Sequence, residues 1–286
     1  MSLYRDLFYP SHDGLRLYAR DYTALPDRPT IVCIPGLTRN SADFEELCAE
    51  LAGDYRLLAV DLRGRGRSDA DPEPLNYHPA TYAGDVVTLL HGEGIGCAIF
   101  IGTSLGGLVS MTLAATEPSL VKGIVLNDVG PELDPTGLAR IRNYVSNGVE
   151  VGHWSEAVAK TREIQGQALP GLSDGEWEVF TRRLYREDDQ GKPVLNYDRG
   201  ISVLFETQSP DAAPPDLWPL FALLQAIPML VVRGVNSDIL SASVVARMAA
   251  SHPRLRTLEV ADRGHAPLLN EPGVLPAIRQ FLQSLP

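Results

Sequence analysis

A serine stands at the junction of two hydrophobic patterns, and this junction limits the fold more than any other feature. Residues 97–101 form an apolar run of strand type, and residues 108–116 are compatible with a helix. Between them, residues 102–106 read Gly-Thr-Ser-Leu-Gly, with Ser104 in the middle. So sharp a turn is strained, and glycines permit it because they lack a Cβ. The pattern predicts a Ser104 hydroxyl beside the N–H groups of a helix start, where an oxyanion can be stabilised.

Strand and helix patterns alternate along most of the chain. Such alternation predicts a mostly parallel sheet with helices on both faces. The length of 286 residues suits one large domain or a core domain with an insertion. Strands are predicted at 3–10, 15–22, 30–34, 55–62, 97–101, 121–127, 229–233 and 255–260. Helices are predicted at 42–52 (with Ser41 as N-cap), 81–91, 108–116, 216–225, 242–250 and 274–283.

The alternation stops between residues 130 and 215. This segment contains helical fragments, charge clusters and turn signals but no strong buried strand. We therefore predict a helical insertion at 130–215 in a core formed by 1–129 and 216–286.

Charge and cysteine content restrict the partners and the compartment. The net charge is −11, from 25 basic and 36 acidic residues, which argues against nucleic acid or an anionic membrane as a partner. Three scattered cysteines give neither a disulfide framework nor a zinc-ligand spacing, and they favour a reducing compartment. The start of the chain has no secretory pattern, and no apolar run is long enough to span a membrane. We predict a cytoplasmic location.

A serine nucleophile needs a base, which is nearly always histidine. In an open α/β sheet, ligands bind beyond the carboxyl ends of the strands. Of the six histidines, only His265 both follows a strand and lies in a loop that can direct it to that edge. His265 is therefore the predicted base.

Two aspartates compete for the acid that orients this histidine. Asp238 follows the 229–233 strand and gives the chain order Ser, Asp, His. Asp128 also follows a strand, at 121–127, and remains an alternative. Asp61 ends a third strand, but its surroundings are more typical of a turn held by local hydrogen bonds. The sequence favours Asp238.

The oxyanion hole requires two N–H donors. One is predicted at Leu105, directly after the nucleophile. The other is predicted at Leu37, in the loop after the 30–34 strand, where the preceding Gly36 allows close approach of the backbone.

Together these residues resemble the α/β-hydrolase superfamily over essentially the full chain, in particular its capped single-domain branch of esterases, lactonases and carbon–carbon bond hydrolases. The matching segments are residues 35–37, 61–68, 102–107, 233–238 and 264–267. The resemblance implies an α/β-hydrolase fold with eight mostly parallel strands, the second antiparallel. It also implies a helical cap between strands six and seven, to which 130–215 corresponds.

Two positions differ from common members of the superfamily. Pro35 stands where many have histidine before Gly36, a change that keeps the main-chain donor. Ser104 stands where dehalogenases and epoxide hydrolases have aspartate, which argues against both reactions.

The sequence thus predicts a serine hydrolase of a small carboxylic ester or lactone that needs neither cofactor nor metal. One alternative is a carbon–carbon bond hydrolase of a diketone from aromatic breakdown. Another is a ligand receptor that keeps the triad and turns over slowly. Aromatic residues of the insertion region are candidates for the substrate pocket, although packing between helices is the more ordinary role for most of them: Trp154, Trp177, Phe180, Tyr185 and Trp218.

Overall fold

The fold is built on a central sheet of eight strands. A computed structural model describes residues 3–23, 28–146, 148, 150–203 and 214–286. The sheet strands are β1 (Arg5–Pro10), β2 (Arg16–Tyr22), β3 (Thr30–Ile34), β4 (Arg56–Asp61), β5 (Ala98–Thr103), β6 (Val121–Asn127), β9 (Met229–Gly234) and β10 (Leu255–Val260). Two further short strands, β7 (Tyr185–Glu187) and β8 (Pro193–Leu195), form a separate antiparallel pair.

The strand order in the sheet is β1-β2-β4-β3-β5-β6-β9-β10. The second strand, β2, is antiparallel to both of its neighbours, and the remaining pairs are parallel. This confirms the sheet that the resemblance implies. Strands β5, β6 and β9 are adjacent near the centre, so their carboxyl ends lie side by side.

Helices cover both faces of the sheet. They are α1 (Glu45–Leu51), α2 (Pro79–Gly92), α3 (Leu105–Thr116), α4 (Pro135–Ser146), α5 (Trp154–Gln165), α6 (Asp174–Leu184), α7 (Trp218–Ala222), α8 (Ala242–Ser251) and α9 (Val274–Gln283). Side chains alternate between the faces of each strand, so β3 sends Val32 and Ile34 to one core and Ile31 and Cys33 to the other. Helices α2, α3 and α8 pack on the first core, and α1 and α9 on the second. Within the described residues, no helix is both long and apolar enough for a membrane span.

The segment between β6 and β9 contains α4, α5 and α6, followed by the β7–β8 hairpin. This hairpin is absent from the sequence prediction. Its strands have three residues each, too few to produce a recognisable alternation. Asn196 and Asp198, just after β8, are hydrogen-bonded to the turn at Gly64 and Gly66, which attaches the hairpin to the core.

The N-cap predicted for the helix after β3 is wrong. Asn40, not Ser41, caps the 3-10 turn before α1, since its side chain accepts a hydrogen bond from the Ala42 N–H at 3.1 Å. The Ser41 N–H is directed instead to the Asp61 carboxylate, at 2.7 Å. A contact between distant parts of the chain thus decides the local geometry.

Candidate active site

Ser104 lies at the corner between β5 and α3 in a strained conformation, with φ 53° and ψ −116°. The glycines around it are sterically required. A Cβ on Gly102 would lie 2.3 Å from the Gly106 carbonyl oxygen, and one on Gly106 would lie 2.0 Å from that of Ile34. The predicted strand–turn–helix geometry is confirmed.

His265 lies in the loop after β10 and faces Ser104. Its Nε2 is 2.8 Å from the Ser104 hydroxyl oxygen, and its Nδ1 is 2.8 Å from Oδ2 of Asp128. A carboxylate only accepts hydrogen bonds, so in the neutral ring Nδ1 donates and Nε2 accepts from the serine. This is the geometry in which the imidazole can take the serine proton.

Asp128 is fully buried at the end of β6, where its backbone has a φ of 57°. Its Oδ1 accepts from the Gly234 N–H at 2.9 Å, and its Oδ2 also accepts from the Ser237 hydroxyl at 2.5 Å. With His265, these contacts satisfy both carboxylate oxygens and hold the group in one orientation. The sequence did not identify Ser237 as part of the site.

The prediction that Asp238 contacts His265 is wrong, and the alternative, Asp128, occupies that position. The Asp238 carboxylate forms a bidentate pair with Arg140 of α4, with distances of 2.6 and 2.9 Å. Burial raises the pKa of the Asp238 carboxyl, but the hydrogen bonds and charge of Arg140 outweigh it, so the pKa lies below its usual value. Arg140 therefore keeps Asp238 ionised and contacts both of its carboxylate oxygens.

Asp61, the third aspartate considered, accepts one hydrogen bond from within the predicted turn and one from a distant loop. Its carboxylate accepts hydrogen bonds from the backbone N–H groups of Ser41 at 2.7 Å and Arg67 at 2.8 Å. Burial raises the pKa of this carboxyl.

The predicted oxyanion donors flank the nucleophile. Leu105 is the first residue of α3, so its N–H has no acceptor within the helix. The loop after β3 runs alongside, since a Cβ on Gly36 would lie 3.8 Å from the Ser104 Cβ, and Leu37 lines the same cavity as Ser104. The roles of Leu37 and Leu105 stay predictions.

Two polar side chains that sequence reasoning missed support these loops. Arg65 is buried and donates from Nε to the Leu37 carbonyl oxygen at 2.9 Å. Asn127 donates from Nδ2 to the Thr103 hydroxyl at 3.0 Å and to the Pro267 carbonyl oxygen at 2.8 Å. Asn127 had a sequence signal, since it directly precedes a candidate acid at a strand end.

A cavity of about 440 Å³ opens over Ser104 and His265. Of the aromatic candidates, Phe180 and Tyr185 line it. The three tryptophans have other roles. Trp177 packs on Ala168 and Leu169, and the indole N–H groups of Trp154 and Trp218 are bonded to Glu187 and Glu132.

Among the residues that the structure describes, one group of side chains has metal-ligand spacing: His12, Asp13 and Asp85. Both carboxylates in this group already accept hydrogen bonds from the buried guanidinium of Arg63, at 2.6–3.2 Å. An arginine thus supplies the positive charge there, and the group is explained without an ion.

Comparison with known proteins identifies the family. Residues 31–276 match the model of the alpha/beta hydrolase family. The chain belongs to this family. It is 34% identical over 275 residues to the 3-hydroxybutyrate-oligomer hydrolase of Cupriavidus necator, covering 94% of this chain and 93% of that protein. Esterase YbfF of Escherichia coli is 29% identical over 253 residues, covering 88% of this chain and 92% of that protein.

A crystal structure of an alpha/beta hydrolase from Novosphingobium aromaticivorans superposes with a TM-score of 0.92 at 43% identity, covering 99% of both chains. Family and relatives support a general hydrolase activity.

Proposed function

We propose that this hydrolase cleaves a small carboxylic ester or lactone through an acyl-enzyme, with Ser104 as nucleophile, His265 as base and Asp128 as acid. The observation that carries the proposal is the continuous pair of hydrogen bonds from Ser104 through His265 to Asp128, each 2.8 Å long. The substrate carbonyl enters from the cavity above Ser104.

In the first step, the Ser104 oxygen attacks the carbonyl carbon while His265 Nε2 takes the hydroxyl proton. Asp128 stabilises the imidazolium and keeps Nδ1 as the donor. The Leu37 and Leu105 N–H groups stabilise the oxyanion of the tetrahedral intermediate. His265 then gives its proton to the leaving alcohol, and the acyl group stays on Ser104.

In the second step, His265 takes a proton from a water molecule that attacks the acyl carbon. The tetrahedral intermediate collapses, the Ser104 oxygen leaves and recovers a proton from His265, and a carboxylic acid is released. Apart from this water, the proposed steps use only residues of this chain.

Ester hydrolysis is favoured over the two alternatives that the sequence left open, carbon–carbon bond hydrolysis and a ligand receptor with slow turnover. The relatives include an esterase, and none of the cavity residues named above is specific for carbon–carbon cleavage. A ligand receptor with slow turnover would carry the same three residues, so only the measured rate of hydrolysis distinguishes it from an enzyme.

The test is turnover of short p-nitrophenyl esters by the wild-type protein and by Ser104→Ala, with Ser155→Ala as the control. Ser155 is exposed on α5 outside the cavity. We expect kcat of Ser104→Ala to fall about a thousandfold or more, while folding is kept. A fluorophosphonate probe should label the wild type and Ser155→Ala but not Ser104→Ala. Equal labelling of all three would refute the nucleophile assignment.

A further inference from the structure

The cavity contains positive charge that the proposed ester chemistry does not use. Four cationic side chains line it, in a protein whose net charge is −11: Arg39, Arg140, Lys160 and Arg183. Only two acidic residues, Asp43 and Glu163, are among its described lining residues. A neutral ester needs none of these charges.

Arg140 is distinguished by where its partner lies. The acids paired with Arg39 and Lys160, which are Asp43 and Glu163, themselves line the cavity. Asp238, the partner of Arg140, is not among the lining residues, whereas Arg140 is, so no acid of the cavity wall neutralises Arg140.

Arg183 shares this property, but its partner Glu46 belongs to α1 on the opposite side of the sheet from α3. Asp238, in contrast, directly follows Ser237, whose hydroxyl donates to the Asp128 carboxylate that contacts His265. Arg140 is therefore the cation whose anchoring acid lies next in the chain to a residue of the Asp128–His265 network.

The hydrogen bonds of Arg140 leave donors available. Asp238 accepts from Nε and Nη2, which form one edge of the planar group. Among the described residues, no hydrogen bond of Arg140 uses Nη1. A guanidinium held along one edge is pre-organised to bind a second carboxylate along the other.

The side chain of Arg140 is 29% exposed, which leaves it accessible from the cavity but partly shielded from water. Tyr144, one turn further along α4, also lines the cavity. Burial raises the pKa of the Tyr144 hydroxyl, against the opposing charges of Arg140 and Arg39, so this phenol is neutral and can donate a hydrogen bond. An anion at Arg140 would thus meet a second donor.

We propose that Arg140 binds a free carboxylate of the substrate, so that this enzyme acts on short esters that carry one anionic carboxylate besides the ester group. The inference rests on the proposed function for its catalytic step and deepens it to a substrate class. Asp238, at the position where the sequence predicts the triad acid, acts here as the anchor of the specificity-determining arginine.

The experiment compares matched charged and neutral esters by acid release in a pH-stat. Monomethyl glutarate against methyl pentanoate places the carboxylate on the acyl side, and 3-acetoxypropanoate against propyl acetate places it on the alcohol side. We expect kcat/KM in at least one pair to favour the charged ester about tenfold or more. Arg140→Gln should lower that charged-to-neutral ratio by about ten- to hundredfold.

Arg182→Gln is the matched control. This arginine lies on α6, pairs with Glu178 and does not line the cavity, so the ratio should stay as in the wild type. Because Arg140→Gln leaves Asp238 without its partner, the double variant Arg140→Gln/Asp238→Asn is measured as well. It should show the same loss of preference at an unfolding midpoint near that of the wild type. An unchanged ratio in this folded double variant overturns the inference.

Binding separates the inference from the proposed function. Ser104→Ala, titrated calorimetrically with monomethyl glutarate and 3-acetoxypropanoate, should bind at least one of them more tightly than its neutral match, and adding Arg140→Gln should remove the difference. Such binding without any hydrolysis by the wild type would uphold the carboxylate site and refute the esterase. Hydrolysis of both members of each pair at equal rates would uphold the esterase and refute the carboxylate site.

Discussion

Asn127 connects the three chain segments that carry the candidate triad. It precedes Asp128, and its amide nitrogen donates to Thr103, which precedes Ser104, and to Pro267 in the histidine loop. One buried side chain thus sets the spacing between the nucleophile, the base and the acid. It touches no reacting atom, so its role is one of positioning.

We expect Asn127→Ala to lower kcat about tenfold or more while KM changes little, because misplacement of catalytic groups slows the chemistry rather than substrate binding. Asn127→Asp should lower kcat further, since a carboxylate would face the Pro267 carbonyl and bring a second charge next to Asp128. Steady-state kinetics on one ester measure both effects. Asn270→Ala, an exposed asparagine of the same loop, serves as control. A rise in KM with unchanged kcat would contradict the positioning role.

The two aspartates give the sharpest test of the triad. Asp128→Asn keeps the shape but loses the charge that stabilises the imidazolium, and we expect kcat to fall about ten-thousandfold, by analogy with serine proteases. Asp238→Asn should lower kcat on a neutral ester far less, because Asp238 contacts Arg140 instead of His265. Both variants are compared on the same ester after folding is checked by circular dichroism. If Asp238→Asn lowered kcat more than Asp128→Asn, Asp238 rather than Asp128 would be the acid of the triad.

At the scale of elements, α6 presents different faces to the cavity and to the rest of the insertion. Phe180 lines the cavity and lies under the guanidinium of Arg39, 4.1 Å from its ring centre. Trp177, one turn earlier, is 4% exposed and packs on the segment before the helix. The helix therefore contributes a pocket wall on one side and an anchor on the other.

Phe180→Ala should widen the cavity and shift the preference toward longer acyl chains. The measurement is kcat/KM across p-nitrophenyl acetate to octanoate. Trp154→Ala is the control, since its indole lies outside the cavity and is bonded to Glu187. A changed profile in Trp154→Ala, with none in Phe180→Ala, would show that the pocket lies elsewhere.

Trp177→Ala should lower the free energy of unfolding. Removal of a buried tryptophan typically costs about 3–5 kcal/mol of unfolding free energy. Urea unfolding, followed by circular dichroism, measures the loss, with Val179→Ala of the same helix as control because Val179 is 50% exposed. A loss no larger than that of the control would mean that the helix is held by other contacts.

At the scale of the whole molecule, a buried arginine joins the opening hairpin to the sheet and to α2. Arg63 has no exposed side-chain surface and pairs with Asp13, Asp71 and Asp85. Its hydrogen bonds lower the pKa of the Asp13 carboxyl from 3.8 to about 2. The carboxyl therefore stays ionised in the folded protein at a pH where the unfolded chain takes up a proton.

The sign of the pH effect follows from this depressed pKa. The stability contributed by the Asp13 charge is complete above pH about 4, near the pKa of an unfolded aspartate, and is lost as the pH falls through about 2. Asp13→Asn should unfold at a lower temperature than the wild type at pH 7, and the difference should shrink between pH 4 and 2. The effect is moderate because Asp13 is 32% exposed.

Thermal unfolding of the wild type and Asp13→Asn across pH 7 to 2 measures this change. Asp189→Asn, at an exposed position, should differ from the wild type equally at every pH. If the difference in unfolding temperature between Asp13→Asn and the wild type is also the same at every pH, the Arg63 network has no pH-dependent effect on stability.

The sequence alone was sufficient to predict the sheet and the contact between Ser104 and His265. Strand periodicity and a turn that only glycines permit are properties of short stretches of sequence. They can therefore be recognised without knowledge of the rest of the fold. All eight sheet strands lie where their patterns predict, within two residues at each end. His265 could be chosen because a parallel sheet brings the carboxyl ends of its strands to one edge.

Only the tertiary structure decided between Asp128 and Asp238. Strands β6 and β9 are neighbours in the sheet, so both aspartates reach the same edge, and no local pattern separates them. Arg140, 98 residues from Asp238 along the chain, pairs with Asp238, while His265 contacts Asp128. The position of that arginine follows from how the insertion packs on the core, a long-range contact that the sequence pattern does not contain.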